Sequence, residues 1–197
     1  MFEGQSAAAG SFVLDDEGVL IDVTLSSFKA AMKAGMPGPA FELAGPREKI
    51  YFDPSKLRCG IVTCGGLCPG LNDIIRSVVL ELHYGYGVKQ IFGFRYGLQG
   101  FIPKYGHDVM DLKPETVVDI LEMGGSILGS SRGPQDISEI VDTLERMNVG
   151  ILFMVGGDGT LLAASHNVKR TPILGINSAP RYSVGSYCAG RRGTLGR

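Results

Sequence analysis

Three groups of residues in this chain have the types and spacing to hold an anion. The first is the turn Cys64-Gly65-Gly66-Leu67-Cys68-Pro69-Gly70, which lies between an apolar run, Cys59 to Thr63, and apolar residues at helical spacing: Leu71, Ile74, Ile75, Val78, Val79 and Leu82. Gly65, Gly66 and Gly70 carry no Cβ, so backbone can approach a ligand closely, and the helix that follows aims N–H groups and a positive end at the same point. A phosphate fits such a place. The turn lacks the Gly-Lys-Ser/Thr ending of a P-loop and the G-x-G-x-x-G of dinucleotide binders, and glycine there also serves plain strand-to-helix packing. The second group is Gly156-Gly157-Asp158-Gly159-Thr160, after another apolar strand. Asp158 could take a magnesium ion bound to phosphates or accept a proton; as an Asx-turn residue it would do neither. The third is Arg132 on the small-residue loop that runs from Ser126 to Asp136, able to form charge-assisted bonds to a phosphate or to stand solvated. Two glycine turns, one arginine and one acid together point to a nucleoside polyphosphate.

The elements that must position these groups alternate. Strands are expected at Cys59 to Thr63, Gln90 to Phe94, Gly150 to Val155 and Ile173 to Ile176. Helices are expected after the first glycine turn, from Pro114 through Val117, Val118, Ile120 and Leu121 to the stop at Gly124-Gly125, and from the cap Asp136 through Ile137, Ile140, Val141, Leu144 and Met147. The strands are apolar throughout, without period-two alternation, which indicates a mainly parallel sheet covered on both faces: an α/β three-layer sandwich. Ligands of such sheets bind beyond the carboxyl ends of the strands, where both glycine turns lie, so the turns should share one site.

Residues 1–56 are expected to form an N-terminal extension and 57–197 the nucleotide-binding domain. In the extension, Phe12 to Leu14 and Val19 to Ile21 flank the acidic turn Asp15-Asp16-Glu17-Gly18 and suggest a hairpin, Ser27 to Ala34 a short helix, and the prolines at 37, 39, 46 and 54 an extended connection. A length of 197 residues suits one well-buried domain. A formal net charge of −1 argues against a non-specific nucleic-acid partner. No targeting segment or apolar stretch of membrane-spanning length is present, so neither a membrane nor an export route is expected and the location should be cytoplasmic. The four cysteines Cys59, Cys64, Cys68 and Cys188 lack both a disulfide framework and paired zinc-ligand spacing; reduced thiols filling small spaces are expected.

Four motifs in order carry a resemblance. Thr63-Cys64-Gly65-Gly66-Leu67-Cys68-Pro69-Gly70-Leu71-Asn72, Gly93-Phe94-Arg95-Tyr96-Gly97, Gly124 to Gly133 (GGSILGSSRG) and Gly156-Gly157-Asp158-Gly159-Thr160 resemble the phosphofructokinases, and the stretch FELAGPREKIYFDPSKLRCGIVTCGGLCPGLND resembles their plant-like branch, which has bacterial members. The resemblance implies a nucleotide held by Gly65, Gly66, Arg132, Gly133, Gly157, Asp158, Gly159 and Thr160, with Asp158 both the metal ligand for Mg2+ and the catalytic residue of this chain. Gly159 stands where pyrophosphate-using members carry an aspartate, which implies ATP as donor. Fructose 6-phosphate is the implied acceptor and a homo-oligomer the implied assembly. One segment departs from the pattern. In place of the family's P-K-T-I-D-N-D, whose first aspartate is the catalytic base, the chain reads Asn177-Ser178-Ala179-Pro180-Arg181-Tyr182. That tail, with Gly156 to His166, is similar to the NAD kinases, apart from Ala179 where an acid would stand, and the second lobe of either family is absent, as in a truncated chain. The expected activity is that of an ATP-dependent 6-phosphofructokinase; the alternatives are an NAD kinase, with Asp158 acting on a ribose hydroxyl, and a non-catalytic nucleotide-binding module.

Overall fold

The structure is a computed structural model that describes residues 2–3, 12–22, 24–35, 38–43, 47, 49–156 and 171–177. The chain forms two compact units, Met1–Tyr51 and Phe52–Arg197. In the first, β1 (Phe2–Glu3) pairs antiparallel with β4 (Lys49–Ile50), β2 (Gly18–Leu20) pairs antiparallel with β3 (Ala40–Glu42), and α1 spans Leu25–Ala34 between β2 and β3. The hairpin expected between Phe12–Leu14 and Val19–Ile21 does not form, because β2 takes β3 as its partner instead. The side chain of Arg47 accounts for this: it donates to the carbonyls of Val13 and Leu14 and holds Glu42 at 3.0 Å, so the residues before the acidic turn are bonded to a side chain rather than to a strand.

The second unit contains the five-stranded sheet that carries the candidate site. Its order is β7-β6-β5-β8-β9, with β5 (Arg58–Thr63), β6 (Gln90–Phe94), β8 (Ile151–Gly156) and β9 (Ile173–Asn177) parallel and the two-residue β7 (Met110–Asp111) antiparallel at one edge. Both faces of the sheet are buried, which is why its strands read as continuous apolar runs. One face places Cys59, Ile61, Ile91, Phe153 and Val155 against Leu71, Ile75 and Val79 of α2 (Leu71–Leu80). The other places Val62, Phe94, Leu152 and Met154 against Ile140 and Leu144 of α3 (Ile137–Arg146) and against Phe101, whose ring stacks on Phe94 at 4.1 Å. Thr143 of α3 is buried and donates to the Phe101 carbonyl at 2.7 Å, so a polar side chain on an apolar helix face is satisfied. Asp136 caps α3 as expected, its carboxylate accepting the Ser138 N–H at 2.9 Å.

The helix expected from Pro114 is two short 3-10 turns, Pro114–Val117 and Ile120–Glu122. The Thr116 hydroxyl closes the first turn on Lys113, accepting its N–H and donating to its carbonyl, both at 2.8 Å. The carbonyls of Ile120 and Met123 are taken by the side-chain amide of Asn72. Thr116 closes the front of the segment as a turn, Asn72 holds the carbonyls at its end, and of the apolar residues at helical spacing, Val117, Val118, Ile120 and Leu121, only Val117 and Ile120 are buried, so no continuous apolar helix face forms. Among the described residues no helix is long and apolar enough to cross a membrane.

Cys59, Cys64 and Cys68 are free, and no group of metal-capable side chains occurs among the described residues. Burial raises the Cys59 and Cys64 thiols from an ordinary 9.0 to about 12. The folded chain therefore keeps protons that the unfolded chain releases, and stability present below pH 9 should fall as the pH rises from 9 towards 12. Urea midpoints measured at pH 8 and pH 10.5 should drop more in the native sequence than in a Cys59→Ala/Cys64→Ala protein. An equal drop in both would show that these thiols play no part.

Candidate functional site

Apart from the Arg132 loop, which follows the 3-10 turn Ile120–Glu122, the parts of the candidate site lie at the carboxyl ends of strands. The first glycine turn leaves β5, the segment beginning with Arg95 leaves β6, and Gly156 ends β8. β5 and β8 are neighbours in register from Cys59↔Ile151 to Thr63↔Val155, so their ends stand side by side. The Cys64 N–H donates to the Val155 carbonyl at 2.8 Å, and a Cβ on Gly156 would sit 2.8 Å from the Cys64 carbonyl oxygen. Glycine is required at 156 because the two chains approach closer than any side chain allows.

The turn ends at Gly70, which caps α2 with a left-handed backbone (φ 89°) and no side-chain bond, leaving the first N–H groups of the helix to other acceptors or to a ligand. Gly65 is also left-handed (φ 88°), with open space where a Cβ would be. Gly66 is exposed, and its Cβ position is 3.9 Å from a terminal nitrogen of Arg132. Sequence separates Gly66 and Arg132 by more than sixty residues; the fold sets the guanidinium beside the turn.

Hydroxyls and one amide bring the arginine loop there. The Ser130 hydroxyl donates to the Gly65 carbonyl at 2.6 Å. Thr63, buried at the end of β5, shares a 2.8 Å bond with the Ser126 hydroxyl and donates to the Gly129 carbonyl. Asn72, the second residue of α2 and 3% exposed, donates to the carbonyls of Ile120 at 3.0 Å and Met123 at 2.9 Å and accepts the Ile127 N–H at 2.9 Å. Tyr96 occupies the left-handed region (φ 59°), gives its N–H to the Leu128 carbonyl at 2.7 Å, and lies against Gly129, where a Cβ would be 3.0 Å from its ring. Strain of that sort at a strand end is held by its surroundings and gathers where ligands bind.

Gly97 combines a close approach with a left-handed backbone. Its φ is +59°, and a Cβ there would lie 2.8 Å from the Ser131 hydroxyl and 2.9 Å from the Ser131 nitrogen. Gly97→Ala should cost about 2 kcal/mol or more, from the left-handed backbone and from displacement of Ser131. A thermal melt unchanged from the native protein would contradict this.

Of the residues singled out from the sequence, Gly65, Gly66 and Arg132 are gathered in one place, and Gly133 follows with a left-handed backbone (φ 96°). Gly157, Asp158, Gly159 and Thr160 lie outside the described residues, one step beyond Gly156. Thr63, Asn72, Ser126 and Ser130 were not expected to have roles. Their signal is a polar side chain set in an otherwise apolar run, most visibly Thr63 and Asn72, which flank the turn.

The lobe is an α/β layered fold of doubly wound type, in which an arginine-bearing loop is bonded to a glycine turn at the carboxyl edge of a mainly parallel sheet. Residues 58–179 match the family model described as Phosphofructokinase, and the chain belongs to that family. It is 48% identical over 154 residues to the ATP-dependent 6-phosphofructokinase of Amycolatopsis methanolica, a match that covers 78% of this chain and 33% of that protein. The enzyme of the same name from Trypanosoma cruzi is 53% identical over 138 residues, 70% of this chain and 28% of its own length. ATP-dependent 6-phosphofructokinase 7 of Arabidopsis thaliana is 46% identical over 133 residues, 68% and 27%. The matched part of this chain thus spans about a third or less of these relatives' length. Phosphofructokinase from Saccharomyces cerevisiae shares the fold, with a TM-score of 0.52 at 24% identity over 61% of this chain and 20% of that one. So does the Pichia pastoris enzyme in the T-state, with 0.52 at 22% identity, over 68% and 16%.

Proposed function

We propose that this chain is the nucleotide-binding part of an ATP-dependent 6-phosphofructokinase, which moves the γ-phosphoryl group of ATP to the C1 hydroxyl of fructose 6-phosphate. The observation that carries the reading is the placement of Arg132 beside Gly66, in the turn that leads into α2. A guanidinium beside a glycine of a turn that leads into a helix N-terminus suits the outer phosphates of a nucleotide. The identity of 46–53% to relatives named ATP-dependent supports ATP over pyrophosphate as donor. Gly159 supports it too, since a carboxylate there would add bulk and charge beside the phosphates.

Catalysis of phosphoryl transfer is mostly positioning and charge neutralisation. In this reading Gly65, Gly66, Gly133, Gly157, Gly159 and Thr160 give backbone room and N–H groups to the phosphates, and Arg132 neutralises charge on them. Asp158 holds magnesium and is the candidate acceptor for the C1 hydroxyl proton. One carboxylate fits a magnesium ion carried on nucleotide phosphates, which keeps several waters, and the described residues hold no cluster suited to an all-protein site. When bound, the ion would neutralise charge on the β- and γ-phosphates. A homo-oligomer in the cytoplasm completes the reading, and the mass of the native assembly checks it.

The test is a coupled assay of the chain with fructose 6-phosphate and either Mg-ATP or Mg-pyrophosphate, beside an assay with NAD as acceptor. Because the chain lacks the P-K-T-I-D-N-D aspartate, transfer is expected to be very slow or absent, and any fructose bisphosphate formed should come from ATP and not from pyrophosphate. Phosphorylation of NAD, or transfer from pyrophosphate alone, would replace this reading.

A further inference from the structure

We propose that Asn72 is a positioning residue that sets where the Arg132 loop lies relative to the first glycine turn. Among the described residues its three side-chain hydrogen bonds, to the Ile120 carbonyl, the Met123 carbonyl and the Ile127 N–H, go to one segment some fifty residues away. That segment passes through Gly124-Gly125, whose second residue is left-handed (φ 79°), and its last bonded residue, Ile127, already belongs to the Ser126 to Arg132 loop. Thr63 grips the same loop from the other side of the turn, through the Ser126 hydroxyl and the Gly129 carbonyl. The turn between residues 63 and 72 is thus flanked by two buried polar side chains, and both are spent on the loop that carries the arginine.

Burial makes the choice of an amide specific. Asn72 is 3% exposed and faces two carbonyls and one N–H, which only a group with two donors and an acceptor can satisfy together. Alanine leaves those three backbone groups without the partner they have now. Aspartate keeps the shape and the acceptor but turns an anion towards two carbonyls. Its protonated form restores one donor, so an Asn72→Asp protein should recover partly as the pH is lowered, which the native protein has no reason to do. Lost packing alone gives no such recovery.

The role rests on the nucleotide reading for its consequence and on the hydrogen bonds alone for its mechanism, so two readouts separate them. In the ligand-free full chain, Asn72→Ala should speed amide exchange across residues 120–132 by about tenfold and leave the strands β5 and β8 unchanged. In calorimetric titration with Mg-ATP, Asn72→Ala should weaken binding by about tenfold in the native background and by less than about twofold when Arg132 is already alanine, because both changes remove the same contact. If Asn72→Ala fails to fold, Asn72→Asp titrated at pH 5.5 and pH 7.5 carries the test, with the ratio to native affinity improving at the lower pH. Unchanged exchange at 120–132, or losses that add in the double variant, overturns the proposal. If the native chain binds no Mg-ATP, the nucleotide reading fails and the exchange result alone decides whether Asn72 sets the loop.

Discussion

Arg132→Ala is expected to weaken Mg-ATP binding by about 10- to 150-fold, the range of a charge-assisted hydrogen bond of about 1.5–3 kcal/mol, with little change in folding stability. The asymmetry follows from where the residue lies. Its side chain is exposed, so its removal opens no cavity, and the loop that carries it is held by Ser126, Gly129 and Ser130 rather than by Arg132 itself. Its guanidinium nevertheless stands beside Gly66, which has no side chain of its own. Arg132→Lys should recover only part of the affinity, since an ammonium lacks the planar fork that suits two phosphate oxygens. Isothermal titration of the three proteins at one ionic strength checks both statements. Equal affinity in native and alanine proteins would mean that Arg132 is a solvated loop residue.

Leu128→Ala should cost folding stability towards the upper end of about 2–5 kcal/mol, and with it the nucleotide site. Leu128 is fully buried in the same cluster as α2, while its backbone belongs to the arginine loop. Its carbonyl accepts the Tyr96 N–H at 2.7 Å and its N–H reaches the Ser126 hydroxyl at 3.2 Å. The side chain lies over Gly93 of β6, where a Cβ would come within 2.5 Å of it, so glycine at 93 is the space that leucine at 128 fills. Alanine leaves a void that Gly93 has no side chain to enter. Gly93→Ala alone should also destabilise, by overpacking, yet in the Leu128→Ala background it should recover some of the loss. Urea unfolding of the four proteins gives the coupling. A loss below about 1 kcal/mol for Leu128→Ala would show that the loop is anchored elsewhere.

The sheet was legible because its strands are buried on both faces. Cys59 to Thr63 and Ile151 to Val155 alternate between two apolar layers, so continuous runs mark them, and glycine turns mark where they end. Asp136 likewise signalled α3 by a local bond that needs no knowledge of the rest of the fold. The segment from Pro114 to Glu122 misled for the opposite reason. Its spacing is helical, but the fold buries only Val117 and Ile120 of that spacing and Asn72, about fifty residues away, holds the carbonyls at its end, and a pattern read along the chain contains neither fact. The hairpin expected near residue 16 failed in the same way, through Arg47, and the two-residue edge strand β7 is too short to leave a pattern.

The candidate site divides similarly. Gly65, Gly66 and Arg132 declared themselves by type: glycines where backbone must come close, and one cation among small residues. Thr63, Asn72, Ser126 and Ser130 did not, because a hydroxyl or amide in an apolar run has no meaning until its partner is known. They are what turns two distant motifs into one cradle.

The most direct test of that cradle is calorimetric titration of the 197-residue chain with ATP in the presence and absence of magnesium. Saturable, one-to-one binding that requires magnesium and weakens by about 10-fold or more in Arg132→Ala is the predicted result. Binding that is absent, or present and indifferent to both magnesium and Arg132, would contradict the account.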